Sequence, residues 1–127
     1  MKEYMLLIRN TGDSKAGFTP EVHKEFVSKC EVYIGNLKKE GKLVAAQPLV
    51  REGKIISGTK GAWKEKPFYV ADEIQVGYYH ILAKDMDEAI TIAKNNPEFE
   101  YTSTASIEVR PIKMKEDVTG FTYPKTN

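Results

Sequence analysis

Apolar positions in this chain change period along its length, and the changes mark out its elements. Residues 4–8 form a nearly continuous apolar run rich in strand formers, which predicts a strand buried on both faces. The stretch 10–17, with Gly12, Asp13, Ser14 and Gly17, predicts a surface loop. Thr19 then suits a helix N-cap, Pro20 the first helical position and Glu21 the positive helix end. Val22, Phe26, Val27, Cys30, Tyr33, Ile34 and Leu37 recur at three- and four-residue spacing, one apolar helical face, and Gly41 marks the stop.

Residues 42–50 predict a second strand, with Gln47-Pro48 marking its edge or a bulge. Residues 51–54 form a turn into a short additional strand at 55–58. The connection 61–73 carries the lone tryptophan, Trp63, and the pair Pro67-Phe68, and leads into a third main strand at 74–83. Asp85 and Glu88 read as a capping box over a helix whose buried stripe is Met86, Ala89, Ile90 and Ala93. Asn95-Asn96-Pro97 ends that helix. A last strand at 105–112 alternates Ile107 and Val109 with Glu108 and Arg110.

The order β-α-β-(β)-β-α-β is the split-βαβ, ferredoxin-like arrangement of the α+β class: an antiparallel sheet with two helices on one face. Its other face is expected to be apolar enough to need a cover, and a second copy of the chain is the economical one. One domain at 1–114 and a polar C-terminal arm at 115–127 complete the expected organisation. The arm reads as loose or as a strand exchanged with a partner.

Bulk properties narrow the function classes. A chain of 127 residues with 41% hydrophobic and 29% charged residues is an ordinary globular domain. A formal charge of +1 gives no reason to expect nucleic acid or an anionic membrane as partner. The single cysteine, Cys30, can form neither an internal disulfide nor a cysteine zinc site, and it fits a reducing cytoplasm. The apolar stretch at the N-terminus is too short for a signal peptide or a membrane span. No H-x-H, H-E-x-x-H or carboxylate cluster is present, so neither a metal site nor a cofactor is expected.

Several short motifs occur together in order: Met5-Leu6-Leu7-Ile8, Gly41-Lys42-Leu43-Val44, Pro48-Leu49, Pro67-Phe68, Gly77-Tyr78, Met86-Asp87-Glu88-Ala89 and Glu108-Val109-Arg110-Pro111. The chain in this respect resembles the YCII-related family, specifically its DGPF-containing branch, over residues 2–113. That resemblance implies subunits pairing into a dimeric α/β barrel with the two sheets facing each other, and a family of mostly unassigned biochemistry. Glu65-Lys66-Pro67-Phe68 stands where the branch reads Asp-Gly-Pro-Phe, so the glycine is lost.

Candidate chemistry is spread along the chain. His23 falls within the apolar arc of the first helix and could face a pocket as a general base, or be a helix-end histidine bonded to a loop. A histidine near the start of this helix resembles the dyad proposed in shorter YCII relatives. His80 alternates with Tyr78 on one strand face, lining the barrel interior or satisfied at an interface. Glu108 and Arg110 could bind a polar ligand inside the dimer, or form an ion pair. Glu65 could carry a proton with Trp63, Phe68 and Tyr69 walling a pocket; alternatively, Trp63 and Phe68 plug the end of the barrel while Lys64, Glu65 and Lys66 stay in water. Cys30 reads as an inert core thiol. Three functions follow: a small-molecule enzyme with a pocket between the sheet and segment 58–73 and His23 or Glu65 as proton carrier, a non-catalytic ligand-binding or accessory dimer, or a purely structural dimer whose loop completes assembly.

Overall fold

The computed structural model describes residues 1–124, so the last three positions of the predicted 115–127 arm lie outside the described residues. Its elements are β1 (Lys2–Thr11), α1 (Pro20–Lys39), β2 (Leu43–Pro48), β3 (Lys54–Thr59), β4 (Ala62–Pro67), β5 (Glu73–Ala83), α2 (Met86–Lys94), α3 (Glu98–Tyr101) and β6 (Ser106–Pro111). Four strands form one antiparallel sheet in the order β2-β5-β1-β6, which is the ferredoxin-like topology.

Register divides the sheet into two unlike faces. Leu6 pairs with Tyr79 on one side and Val109 on the other, while Met5 pairs with His80 and Arg110. Side chains alternate across a strand, so Tyr4, Leu6, Ile8 and Asn10 share a face with Tyr79 and Ile81. That face packs against Leu37 of α1 and Ala89, Ile92 and Ala93 of α2, forming the core. Glu3, Met5, Leu7, Tyr78, His80 and Leu82 point the opposite way and are only half-buried. The run at 4–8 is therefore buried on one face within a single chain, not on both.

Both long helices start as their sequences dictate. Thr19 Oγ1 accepts from the Val22 amide at 3.2 Å, with Pro20 in the first turn. Asp85 Oδ1 accepts from the Glu88 amide at 2.9 Å. The return bond of the expected capping box is displaced by one residue: Glu88 Oε1 accepts from the Lys84 amide at 3.1 Å. Beyond α2 the chain makes an extra turn of helix, α3, started by Asn96, whose Oδ1 accepts from the Glu98 amide at 2.8 Å.

The connection at 61–73 differs from expectation in one respect. Ala62–Pro67 is a strand, β4, paired with β3 as a separate two-stranded ribbon. The tight turn between them is Lys60-Gly61, with Gly61 at a φ of +85°, and beside it Gly58 of β3 has a φ of +106° where a Cβ would lie 2.3 Å from the Ala62 carbonyl oxygen. Every residue of both strands is exposed, so the ribbon stands away from the core. The C-terminal arm folds back on itself through a Lys115–Thr122 bridge and a Tyr123-to-Met114 backbone bond. No helix among the described residues is long and apolar enough to cross a membrane.

Candidate functional site

A groove of about 440 Å³ opens between α1 and the β2–β5 side of the sheet. Helical spacing explains its first wall: Phe26, Cys30 and Ile34 fall four residues apart along α1, and Val27 lies three before Cys30. The second wall comes from strands, with Ala46 and Pro48 of β2 and Val76 and Tyr79 of β5. His23, one turn N-terminal of Val27, also lines the groove and is exposed. Its backbone amide bonds Thr19, and among the described residues its imidazole has no hydrogen-bond or ion-pair partner.

The polar end of the groove is built on Glu98, whose residue exposure is only 5%. Glu98 Oε1 accepts from Asn10 Nδ2 at 2.9 Å and from Lys15 Nζ at 2.5 Å. Asn10 is fully buried and is held in turn by Thr102 and Thr104, its Nδ2 donating to the first and its Oδ1 accepting from the second. The Lys15 ammonium also lies 4.8 Å from the centre of the Phe26 ring, a cation–π contact. Lys15, Glu98 and Asn96 all line the groove. Burial of a charged pair is costly unless its partners are met, and this network meets Glu98 through Oε1 alone.

Burial sets the protonation of the remaining groups. It pushes the Cys30 thiol up to about 11, with Glu98 adding to the rise and Lys15 opposing it. Burial likewise raises the Tyr33 and Tyr79 phenols, whose rings meet edge-on at 5.4 Å. The Asn96 amide opposes both rises, although its buried Nδ2 meets no hydrogen-bond geometry. Cys30 and Tyr79 therefore enter the groove as neutral groups.

The other residues singled out from the sequence lie elsewhere. Tyr78, His80, Glu108 and Arg110 share the half-buried sheet face opposite the helices. His80 Nε2 lies 2.7 Å from Glu3 Oε1, and the Glu108–Arg110 pair is 3.5 Å apart and more exposed. Glu65 sits on the ribbon, 3.7 Å from Lys54, with both side chains in water. Trp63, on the same ribbon, is 62% exposed and plugs nothing within its own chain. Phe68 packs over Gly53 at the ribbon's root, where a Cβ on Gly53 would come within 2.8 Å of the ring. A depression of about 580 Å³ lies there, lined also by Leu49 and Ile74.

The expected site residues thus fall into three groups, and only His23 among them lines the groove, beside the Cys30 thiol expected in the core. Lys15, Glu98 and Asn96 escaped notice because no local motif links a lysine to a glutamate 83 positions away. Glu3, the partner of His80, is 77 positions distant and was equally invisible. Among the described residues no cluster of three or more histidine, cysteine or acidic groups could hold a metal ion. A family model described as the YCII-related domain matches residues 2–114. No curated protein matches the chain.

Proposed function

The chain belongs to the YCII-related domain family, and from that premise we propose that it is a homodimer binding a small organic molecule in the groove beside α1, with His23 as the proton carrier. One observation carries the reading: His23 stands, unpartnered among the described residues, at the edge of a groove of ligand size. An imidazole has one nitrogen that can accept a proton and one that can donate it, which suits a general base or acid. The thiol of Cys30 is held protonated, so it is a poor nucleophile and leaves His23 as the group to test. Pairing is supported by the half-buried face carrying Met5, Leu7, Tyr78 and Leu82, a surface suited to a second sheet. Pro67-Phe68 supports placing the chain beside DGPF-containing members.

Stabilisation of the folded chain by members of a metabolite library is the direct experiment, since a ligand that binds only the native state raises Tm. Compounds that raise Tm are then assayed for turnover with wild type and His23→Gln. Loss of turnover with retained binding supports a proton-transfer role. A library without any stabilising compound removes the small-molecule reading.

A second reading, ligand binding without catalysis, is favoured by one feature: no carboxylate orients the His23 ring among the described residues. Under that reading wild type and His23→Gln bind alike and neither turns the ligand over.

A further inference from the structure

From the groove's polar end we infer that its ligand is uncharged and carries a hydrogen-bond donor beside a carbonyl acceptor on an apolar body, anchored between Lys15 and Glu98. The inference rests on the small-molecule reading above and specifies the chemistry of that site. Its starting point is the unequal use of the two charged groups. Glu98 Oε1 accepts both hydrogen bonds made to the carboxylate, from Asn10 and Lys15. Oε2 accepts none among the described residues. An ammonium has three donors, and Lys15 spends one of them on Glu98 while its charge rests over Phe26. A vacant acceptor and vacant donors thus lie side by side on one salt bridge.

Charge balance then selects among ligands. Lys15 neutralises Glu98, and the groove's other two formal charges, Arg51 and Glu31, are again one of each sign. An anion drawn to Lys15 meets the Glu98 carboxylate beside it, and a cation drawn to Glu98 meets Lys15. A neutral carboxamide, lactam or hydroxy-ketone avoids both penalties: its carbonyl accepts from Lys15 and its N–H or O–H donates to Glu98 Oε2. Ile8, Val27, Ile34 and Val76 provide the apolar surface for the rest of the molecule. Hydrogen bonds to charged groups are the stronger class, so the double contact discriminates against ligands that can make only one.

Four probes of similar size separate the possibilities: benzamide, acetophenone, benzoate and benzylamine. Each is titrated into the isotopically labelled full chain while backbone amide shifts are followed. Benzamide is expected to shift Cys30, Ala46 and Tyr79, with acetophenone and both ions binding about tenfold or more weakly. In Glu98→Gln the preference for benzamide over acetophenone disappears while the acetophenone affinity holds. The wild-type ranking stands as a test by itself should that variant fail to fold. Groove binding in which benzoate, benzylamine or acetophenone equals benzamide overturns the anchor and leaves the small-molecule site intact. Absence of groove shifts with all four probes overturns both.

Discussion

Cys30 shows how one residue's surroundings decide its chemistry. Its thiol is held near 11 against an ordinary 9.0, chiefly by burial. Thiolate is the reactive form, so alkylation by iodoacetamide at neutral pH is expected to run roughly a hundredfold slower than for an unfolded control. Equal rates in the two states would contradict the burial. The same shift has a sign for stability: above pH 9 the unfolded chain loses a proton that the folded chain keeps. Stability from this group therefore falls as pH rises from about 9 to about 11, measurable as a declining denaturant midpoint. Leu6, with no exposed surface, makes the opposite kind of demand. Leu6→Ala is expected to cost about 3 kcal/mol in a urea titration, for lost transfer energy and a residual cavity. Helical spacing alone placed Cys30 on the apolar arc. It could not place Lys15 against Glu98, because side chains that meet only after the sheet closes leave no periodic trace.

The helices and the ribbon differ in what holds them. Asp85 satisfies an orphan amide at the start of α2, and Asp85→Ala is expected to cost about 1 kcal/mol of stability. A loss below the error of chemical denaturation would mean water caps that end as well. The β3–β4 ribbon contributes no residue to the core. Replacing residues 51–67 by a short Gly-Ser linker is therefore expected to leave cooperative melting, with Tm displaced by no more than about 5 °C. Capped helices were legible because their signals are local: a hydroxyl or carboxylate, a proline, an acid in the first turn. Only half of the ribbon was legible. A strand that buries neither face has no apolar alternation, so Lys64-Glu65-Lys66 read as a connection, although β3 pairs with it.

For the whole molecule, element order was enough to give the β2-β5-β1-β6 sheet and its helical layer, since short connections and antiparallel pairing leave few alternatives. The groove was not foreseeable, because it depends on the space left between α1 and the β2–β5 side of the sheet. The half-buried face opposite the helices carries the proposed pairing. Light scattering is expected to give twice the 14.4 kDa chain mass, and Leu7→Glu to give the single mass with unchanged circular dichroism, as a charge set in the middle of an apolar contact is costly. A wild type of single mass at micromolar concentration would reject the dimer.

Of the two interior strands, β1 precedes in sequence both strands it pairs with. β1 pairs with β5 and β6, and Asn10 at its end is held by Thr104, 94 positions later. A ribosome must therefore deliver residues 73–83 before β1 has its first neighbour, and Glu98 before the Lys15–Glu98 pair can form. Until then the nascent segment carries Met5-Leu6-Leu7-Ile8 uncovered, with two free strand edges, which is the kind of sequence that chaperones bind and that aggregates when synthesis outpaces them.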